Sequence, residues 1–170
     1  MYLGESFEIL DWFIIHFTEN KGMAFGMEFG GETGKLILTL LRLVVVTMGL
    51  FYINNFVKKP LPFGVFICLG LIVGGAIGNI IDSIFYGVIF NDSYGQIAQF
   101  LPENGGYAPL LFGKVVDMFY FPLINSHFPS WFPFVGGDHF IFFRPVFNLA
   151  DAGISVGVIS LILFYKNYFD

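Results

Sequence analysis

What this chain lacks most is charge. Asp, Glu, Lys and Arg make up 12% of its 170 residues, about half of the roughly 25% usual for soluble domains. So few solvated groups cannot cover a water-facing surface, and lipid is the solvent that the composition suits. Cysteine is nearly absent as well. The single Cys68 lies in an apolar run, so no disulfide can form within the chain, and a CxxC or Cys/His metal site is excluded. The three histidines, His16, His127 and His139, share no ligand spacing; neither metal nor cofactor is expected. Basic residues are outnumbered 13 to 8, for a net charge of −5. No basic stripe exists to track phosphates, which argues against nucleic acid as a partner.

What is present is apolar. Hydrophobic residues reach 56% and the mean hydropathy is +0.74. Aromatics form 20% of the chain, including 24 Phe, and crowd residues 7–29 and 112–147 together with Trp12, Tyr120 and Trp131. Rings with polar tips favour the membrane interface, and both regions read as interfacial segments. A membrane-crossing helix needs about 20 mainly apolar residues. Residues 35–57, interrupted by Arg42, residues 62–86 and residues 146–165 meet that requirement. Pro60 and Pro62 bracket a tight turn between the first two. Lys58 and Lys59 in that turn, and Lys166 after the third span, mark the inner side. Residues 1–34 and 87–145 then lie outside. No signal-peptide pattern precedes the first span, so a further helix running outward before Met1, giving a bundle of four, is the topological expectation.

Residues 7–27 mix β-branched and aromatic residues around Asn20-Lys21-Gly22, and read as a small antiparallel sheet turning there and lying on the membrane. The fold class expected is a mainly α-helical membrane protein with this sheet as a cradle and an elaborated outer loop, in one domain. Ionisable groups in membrane helices are costly and mark functional candidates. Asn79 with Asp82 and Asn148 with Asp151 are each spaced i, i+3, on one helical face at the outer ends of two helices. Asp117 adds a carboxylate in the apolar stretch Val115-Val116-Asp117-Met118, and Arg42 a cation within the first span. Gly70, Gly74 and Gly78 form a smooth ridge for a second helix. Asp82 extends that row, so it and Arg42 read first as structural partners. Two carboxylates in one dry site cannot both ionise, so Asp117 and Asp151 could share a proton and divide general acid and general base between them. The alternative is that Asp151 caps its helix and Asp117 is an ordinary interface residue.

Four blocks carry a resemblance. Asn20-x-Gly22-x-Ala24-Phe25-Gly26, Gly74-Gly75-Ala76-x-Gly78-Asn79-x-x-Asp82, Val115-Val116-Asp117-Met118 and Phe147-Asn148-x-Ala150-Asp151 resemble, in that order, the signature blocks of lipoprotein signal peptidase (signal peptidase II). The resemblance implies an intramembrane aspartyl endopeptidase of the bacterial inner membrane. It implies four helices, a periplasmic sheet cradle and an active site facing the periplasm. Its substrate would be a prolipoprotein, cut on the N-terminal side of a diacylglyceryl-modified cysteine, with membrane lipid a second partner and peptide antibiotics such as globomycin its inhibitors. On this mapping Asp117 and Asp151 are catalytic, and Asn20, Gly22, Asn79, Asn148 and Ala150 bind substrate.

The chain departs from the family pattern in places. The family's first helix is not seen. Ser83 stands where an arginine usually follows the aspartate of the glycine block, and Arg144 is the candidate replacement. Gly87 and Gly113 both look like the glycine of a normally short connection, and residues 88–112 and 119–145 read as insertions over the site. Two other readings differ in class: a transporter, disfavoured because no internal repeat is visible and the polar groups sit at one boundary, and a non-enzymatic assembly subunit, which a large exposed apolar patch would support.

Overall fold

In the computed structural model, which describes residues 1–22, 30–56, 58 and 60–168, the first helix reverses the usual rule of burial. Helix α1 (Gly31–Phe56) buries Lys35 and Thr39, while Ile37, Leu41, Val44, Val45, Met48 and Phe51 are exposed. Such a surface is stable only in apolar surroundings. Helix α2 is Phe63–Ile89. Helix α3 is Leu149–Ser160, continued by a π-helical segment Leu161–Tyr165 and a 3-10 turn Lys166–Tyr168. Among the described residues three helices are long and apolar enough to cross a membrane: Gly31–Ile53, Phe63–Ile89 and Leu149–Tyr168, with mean hydropathies of 2.3, 2.2 and 1.6. The chain is a multi-pass membrane protein.

One end of this bundle carries the sheet. Strands β1 (Ser6–Leu10), β2 (Phe13–Asn20), β3 (Val115–Tyr120) and β6 (Val146–Phe147) form an antiparallel sheet in the order β1-β2-β3-β6. Strands β4 (Ile124–His127) and β5 (His139–Phe142) make a separate hairpin within the second insertion. The chain reverses at Asp11-Trp12 between β1 and β2; the sequence also suggested a turn at Asn20-Lys21-Gly22, and the residues that follow it lie outside the described ones. The Asn20 side chain accepts the Gly22 N–H at 2.7 Å, an Asx turn that ends β2, and Asn20 itself pairs with Val115 of β3. Half the sheet is thus recruited from a segment far along the chain. Ala24, Phe25 and Gly26 of the first block, and Lys59 of the turn before α2, lie outside the described residues.

The third helix also starts later than its apolar run. Val146 and Phe147 pair with Tyr120 and Phe119 of β3. Asn148 then caps α3 by accepting the Asp151 N–H at 3.0 Å, while the Asp151 carboxylate accepts the Asn148 N–H at 3.4 Å. This reciprocal capping box fixes the first turn. At the other end of α2, residues 107–113 fold back along the last turns. The N–H groups of Ala108, Leu111 and Gly113 donate to the carbonyls of Gly87, Ile84 and Ser83 at 2.9–3.0 Å, pinning this segment to the last two turns of the helix. Of the three carbonyls, that of Gly87 is among the last four, which a helix terminus leaves free. A side chain at Gly113 would run into the Asp82 carbonyl, and one at Gly87 would press on Ala108 and Pro109. Both glycines are therefore needed to bring β3 against α2.

Helices α2 and α3 approach most closely at Gly75, where a Cβ would strike the Ala150 carbonyl and the Ile154 side chain, and at Gly157, against Cys68 and Ile72. The ridge read from the sequence is corrected in this respect. Gly78 makes only ordinary contact with Ala150, and a Cβ at Gly70 or Gly74 meets nothing within 4 Å. Gly75→Ala is expected to force the helices apart and lower stability by about 1–3 kcal/mol, the usual cost of overpacking. Gly74→Ala is expected to leave it unchanged. Thermal unfolding of the two variants in detergent checks this, and equal midpoints would contradict it.

Candidate active site

Burial of polar groups is concentrated where the sheet meets the outer ends of the helices. Asp117, Asn79, Asn148 and Ser83 are all less than a tenth exposed, and each polar atom must find a partner there. Asp117, Asn79 and Asn148 find one another. Asn148, at the N-cap of α3, donates its two amide hydrogens to Asp117 Oδ1 at 2.8 Å and to Asn79 Oδ1 at 3.0 Å. Asn79, from α2, donates to Asp151 Oδ1 at 2.7 Å. Asn20, at the end of β2, donates to the other oxygen of Asp117 at 3.1 Å. The two carboxylates therefore stand at the ends of one chain of carboxamides drawn from two helices, with strands β2 and β3 closing one side. Among the described residues no cluster of His, Cys, Asp and Glu could hold a metal.

Directionality matters in this chain. An amide can donate to a carboxylate only through its NH2, so all three asparagines are locked with their oxygens turned elsewhere. The Asn148 oxygen is held by the Asp151 N–H and the Asn20 oxygen by the Gly22 N–H. Burial pushes the Asp117 carboxyl up to about 6, against the pull of hydrogen bonds from Asn20 and Asn148 and helped by the negative charge of Asp151. Desolvation together with a like charge is the arrangement that leaves a carboxyl able to hold a proton near neutrality. The capping reading of Asp151 is realised too: the same carboxylate caps α3 and faces Asn79.

The supporting residues divide. Arg42 donates to the Gly22 carbonyl and is attracted by Asp151 and Asp117, so it ties α1 to the Asn20 turn beside the carboxylates. Gly22 has φ +105, and a Cβ there would press on Arg42 and Leu38; glycine is required. Asp82 accepts the Val116 N–H at 3.3 Å, immediately before Asp117. Ala150 lies in the first turn of α3 with its carbonyl against Gly75. Arg144 does not come near Ser83. It is exposed and lines a groove on the sheet with Ser6, Glu8, His16 and Tyr120, since β6 directs its segment away from α2. The cation beside Ser83 is Lys35, whose Nζ donates to Ser83 Oγ at 3.4 Å.

Lys35 escaped the sequence reading although its signal was present. Lys35, Thr39 and Arg42 are spaced 4 and 3 apart, one polar face on an apolar helix. Thr39 Oγ1 donates to the Leu111 carbonyl at 3.2 Å, so all three turn toward the site end. A second buried group was missed as well: Glu19 accepts from Ser93 at 2.6 Å and Lys114 at 2.5 Å, holding both sides of the first insertion to β2. Beyond the carboxylates, Phe13, Phe119, Phe121 and Phe147 form a ring cluster with centroids 4.9–6.2 Å apart. Phe119 shares a sheet face with Asp117, two residues away.

The profile of the family described as Signal peptidase (SPase) II matches residues 1–166. The chain belongs to the signal peptidase II family. It is 54% identical over 166 residues to the lipoprotein signal peptidase of Porphyromonas gingivalis, covering 97% of this chain and 72% of that protein. To the lipoprotein signal peptidase of Amoebophilus asiaticus it is 38% identical over 169 residues, covering 95% of this chain and 64% of that one. The fold is similar to that of a bacterial membrane enzyme solved by the in meso method at 2.3 Å resolution, with a TM-score of 0.56 and 23% identity over 99% of this chain and 75% of the other. A signal peptidase II is a protease, and the transporter and assembly-subunit readings lose their ground.

Proposed function

We propose that this chain removes signal peptides from prolipoproteins by aspartyl chemistry at Asp117 and Asp151. The observation that supports this reading is the carboxamide chain joining the two carboxylates in a buried site at the membrane boundary. Asp117, its carboxyl raised by burial, carries the proton and donates it to the scissile carbonyl. Asp151 is the base that takes a proton from the attacking water. The water oxygen bonds to the carbonyl carbon, the C–N bond breaks, and the departing amine collects a proton from the pair. Asn20, Asn79 and Asn148 hold both carboxyls in register, and a substrate backbone that displaces one of their bonds is received by groups already aligned.

The same reading places the protein in the bacterial inner membrane with the site facing the periplasm, since Lys58 and Lys166 lie at the far ends of their helices from the sheet. The cut falls before a diacylglyceryl-modified cysteine, with the lipid lying in the membrane beside the α2–α3 pair and the apolar signal peptide against the Phe cluster. Peptide antibiotics such as globomycin would occupy the same site. Residues 1–22 and 90–148 lie outside the bilayer on this reading.

The direct test is cleavage of a lipid-modified precursor by the purified protein, beside the same precursor lacking the lipid. Cleavage of the modified form alone supports the assignment; equal cleavage of both would overturn it. The pH dependence follows from Asp117. Its proton is present below a pH of about 6 in the free enzyme and is lost above it, so kcat/KM is expected to fall on the alkaline side of that value. A rate that climbs steadily from pH 5 to 8 would contradict Asp117 as the acid.

A further inference from the structure

Lys35 is buried at the outer end of α1, and the chemistry above gives it no task. Its bond to Ser83 Oγ, 3.4 Å long, is too weak to account for an ammonium taken out of water. The compensating charge is Asp82, the neighbour of Ser83 on α2, which attracts Lys35, whereas Arg42, two turns along the same face of α1, repels it. Asp82 in turn faces the sheet. Its Oδ2 accepts the Val116 N–H at 3.3 Å. Val116 is the residue before Asp117, and its N–H is the point at which α2 grips β3.

We infer that Lys35 is a positioning residue for Asp117: its ammonium holds Asp82 as a carboxylate, and the carboxylate fixes the strand that carries the reacting group. The inference rests on Asp117 being catalytic. A hydrogen bond to an ionised acceptor is about twice as strong as a neutral one. Neutral Asp82 would hold Val116 less firmly, and a displacement of about 1 Å at a reacting group costs about a hundredfold in rate. Lys35 also lines a cavity of about 310 Å³ with Glu32, Tyr107, Pro109 and Lys114. Direct contact with substrate through that cavity is the rival role, and it would act on KM.

The experiment measures kcat and KM on the lipid-modified precursor for Lys35→Met, Lys35→Arg, and the doubles Lys35→Met/Asp82→Asn and Lys35→Ala/Ser83→Arg. Lys35→Met is expected to lose at least about tenfold in kcat with KM within about twofold, and Lys35→Arg to stay close to wild type. Lys35→Ala/Ser83→Arg should recover most of the loss, because it returns a cation from the adjacent position on α2, whereas Lys35→Met/Asp82→Asn should stay about as slow as Lys35→Met, because position 82 is neutral in both. A slow Lys35→Met/Asp82→Asn beside a fast Lys35→Ala/Ser83→Arg decides the matter if Lys35→Met fails to fold. Unchanged kcat in Lys35→Met, a loss confined to KM, a folded Lys35→Ala/Ser83→Arg no faster than Lys35→Met/Asp82→Asn, or a Lys35→Met/Asp82→Asn at the wild-type rate would each overturn the inference. Asp117→Asn separates the two claims. If it cleaves normally the dyad is wrong, whereas an inactive Asp117→Asn beside a fully active Lys35→Met sinks only the positioning role.

Discussion

Asp117→Asn and Asp151→Asn are each expected to abolish processing, with losses of about a thousandfold or more in kcat. General acid and general base catalysis each contribute about 10²–10⁴, and neither residue has a neighbour able to substitute. The asparagine is nearly isosteric, so the protein should still fold, but the consequences differ in kind. At position 117 the new amide would have to turn its oxygen to the Asn148 NH2, which now donates to Asp117 Oδ1 at 2.8 Å. Its own NH2 would then face the Asn20 NH2, which donates to the other oxygen at 3.1 Å. One donor is left without an acceptor, so Asp117→Asn loses some stability along with its activity. At position 151 the oxygen can still accept from Asn79, and the cap of α3 weakens only slightly. Measured by precursor cleavage and thermal unfolding together, the two variants should be equally inactive and unequally stable. Near wild-type cleavage by either would remove that residue from the mechanism.

Asn148→Ala is expected to lose about a hundredfold in activity and about 1–2 kcal/mol in stability. Asn148 does three things at once: it bonds Asp117 at 2.8 Å, bonds Asn79 at 3.0 Å, and caps α3 through the Asp151 N–H at 3.0 Å. Removing a cap costs about 1 kcal/mol, and leaving buried acceptors without donors adds a comparable amount. Asn148→Ser separates these roles. A serine hydroxyl caps a helix as well as asparagine does, yet it offers one donor where the amide offered two. Its stability should therefore recover most of the capping loss while its activity remains close to that of Asn148→Ala. Recovery of activity with the cap would show that Asn148 serves the helix alone.

Period and composition alone carried much of this architecture. A low share of charge, three long apolar runs and lysines at one end give the spans, because lipid imposes its demands on every residue of a crossing helix. The i, i+3 pairs put Asn79 with Asp82 and Asn148 with Asp151 on helix faces at the outer boundary. That Asp117 joins them could not be read from spacing. Its place depends on residues 107–113 folding back onto the last turns of α2 and on β3 inserting between β2 and β6, both long-range pairings with no local signal. The bend that Asn20-Lys21-Gly22 suggested is present as an Asx turn, but the pairing of its strand with β3 carries no local signal. The glycine ridge misled because helix approach is set by the partner's position, and α3 meets α2 at Gly75, one residue off the row. Lys35, which began as the first residue of an apolar span, shares with Thr39 and Arg42 a polar face whose spacing the sequence already carried, and α1 buries it.

The central claim is that Asp117 and Asp151 form one proton-holding pair. Infrared spectroscopy of the protonated-carboxyl band across pH, in the wild type and in Asp117→Asn, tests it most directly. The pair predicts a buried carboxyl that loses its proton at a pH of about 6 and whose band is missing from Asp117→Asn. A wild-type spectrum in which every carboxyl titrates near the ordinary value of about 4, or a band that persists unchanged in Asp117→Asn, would contradict it.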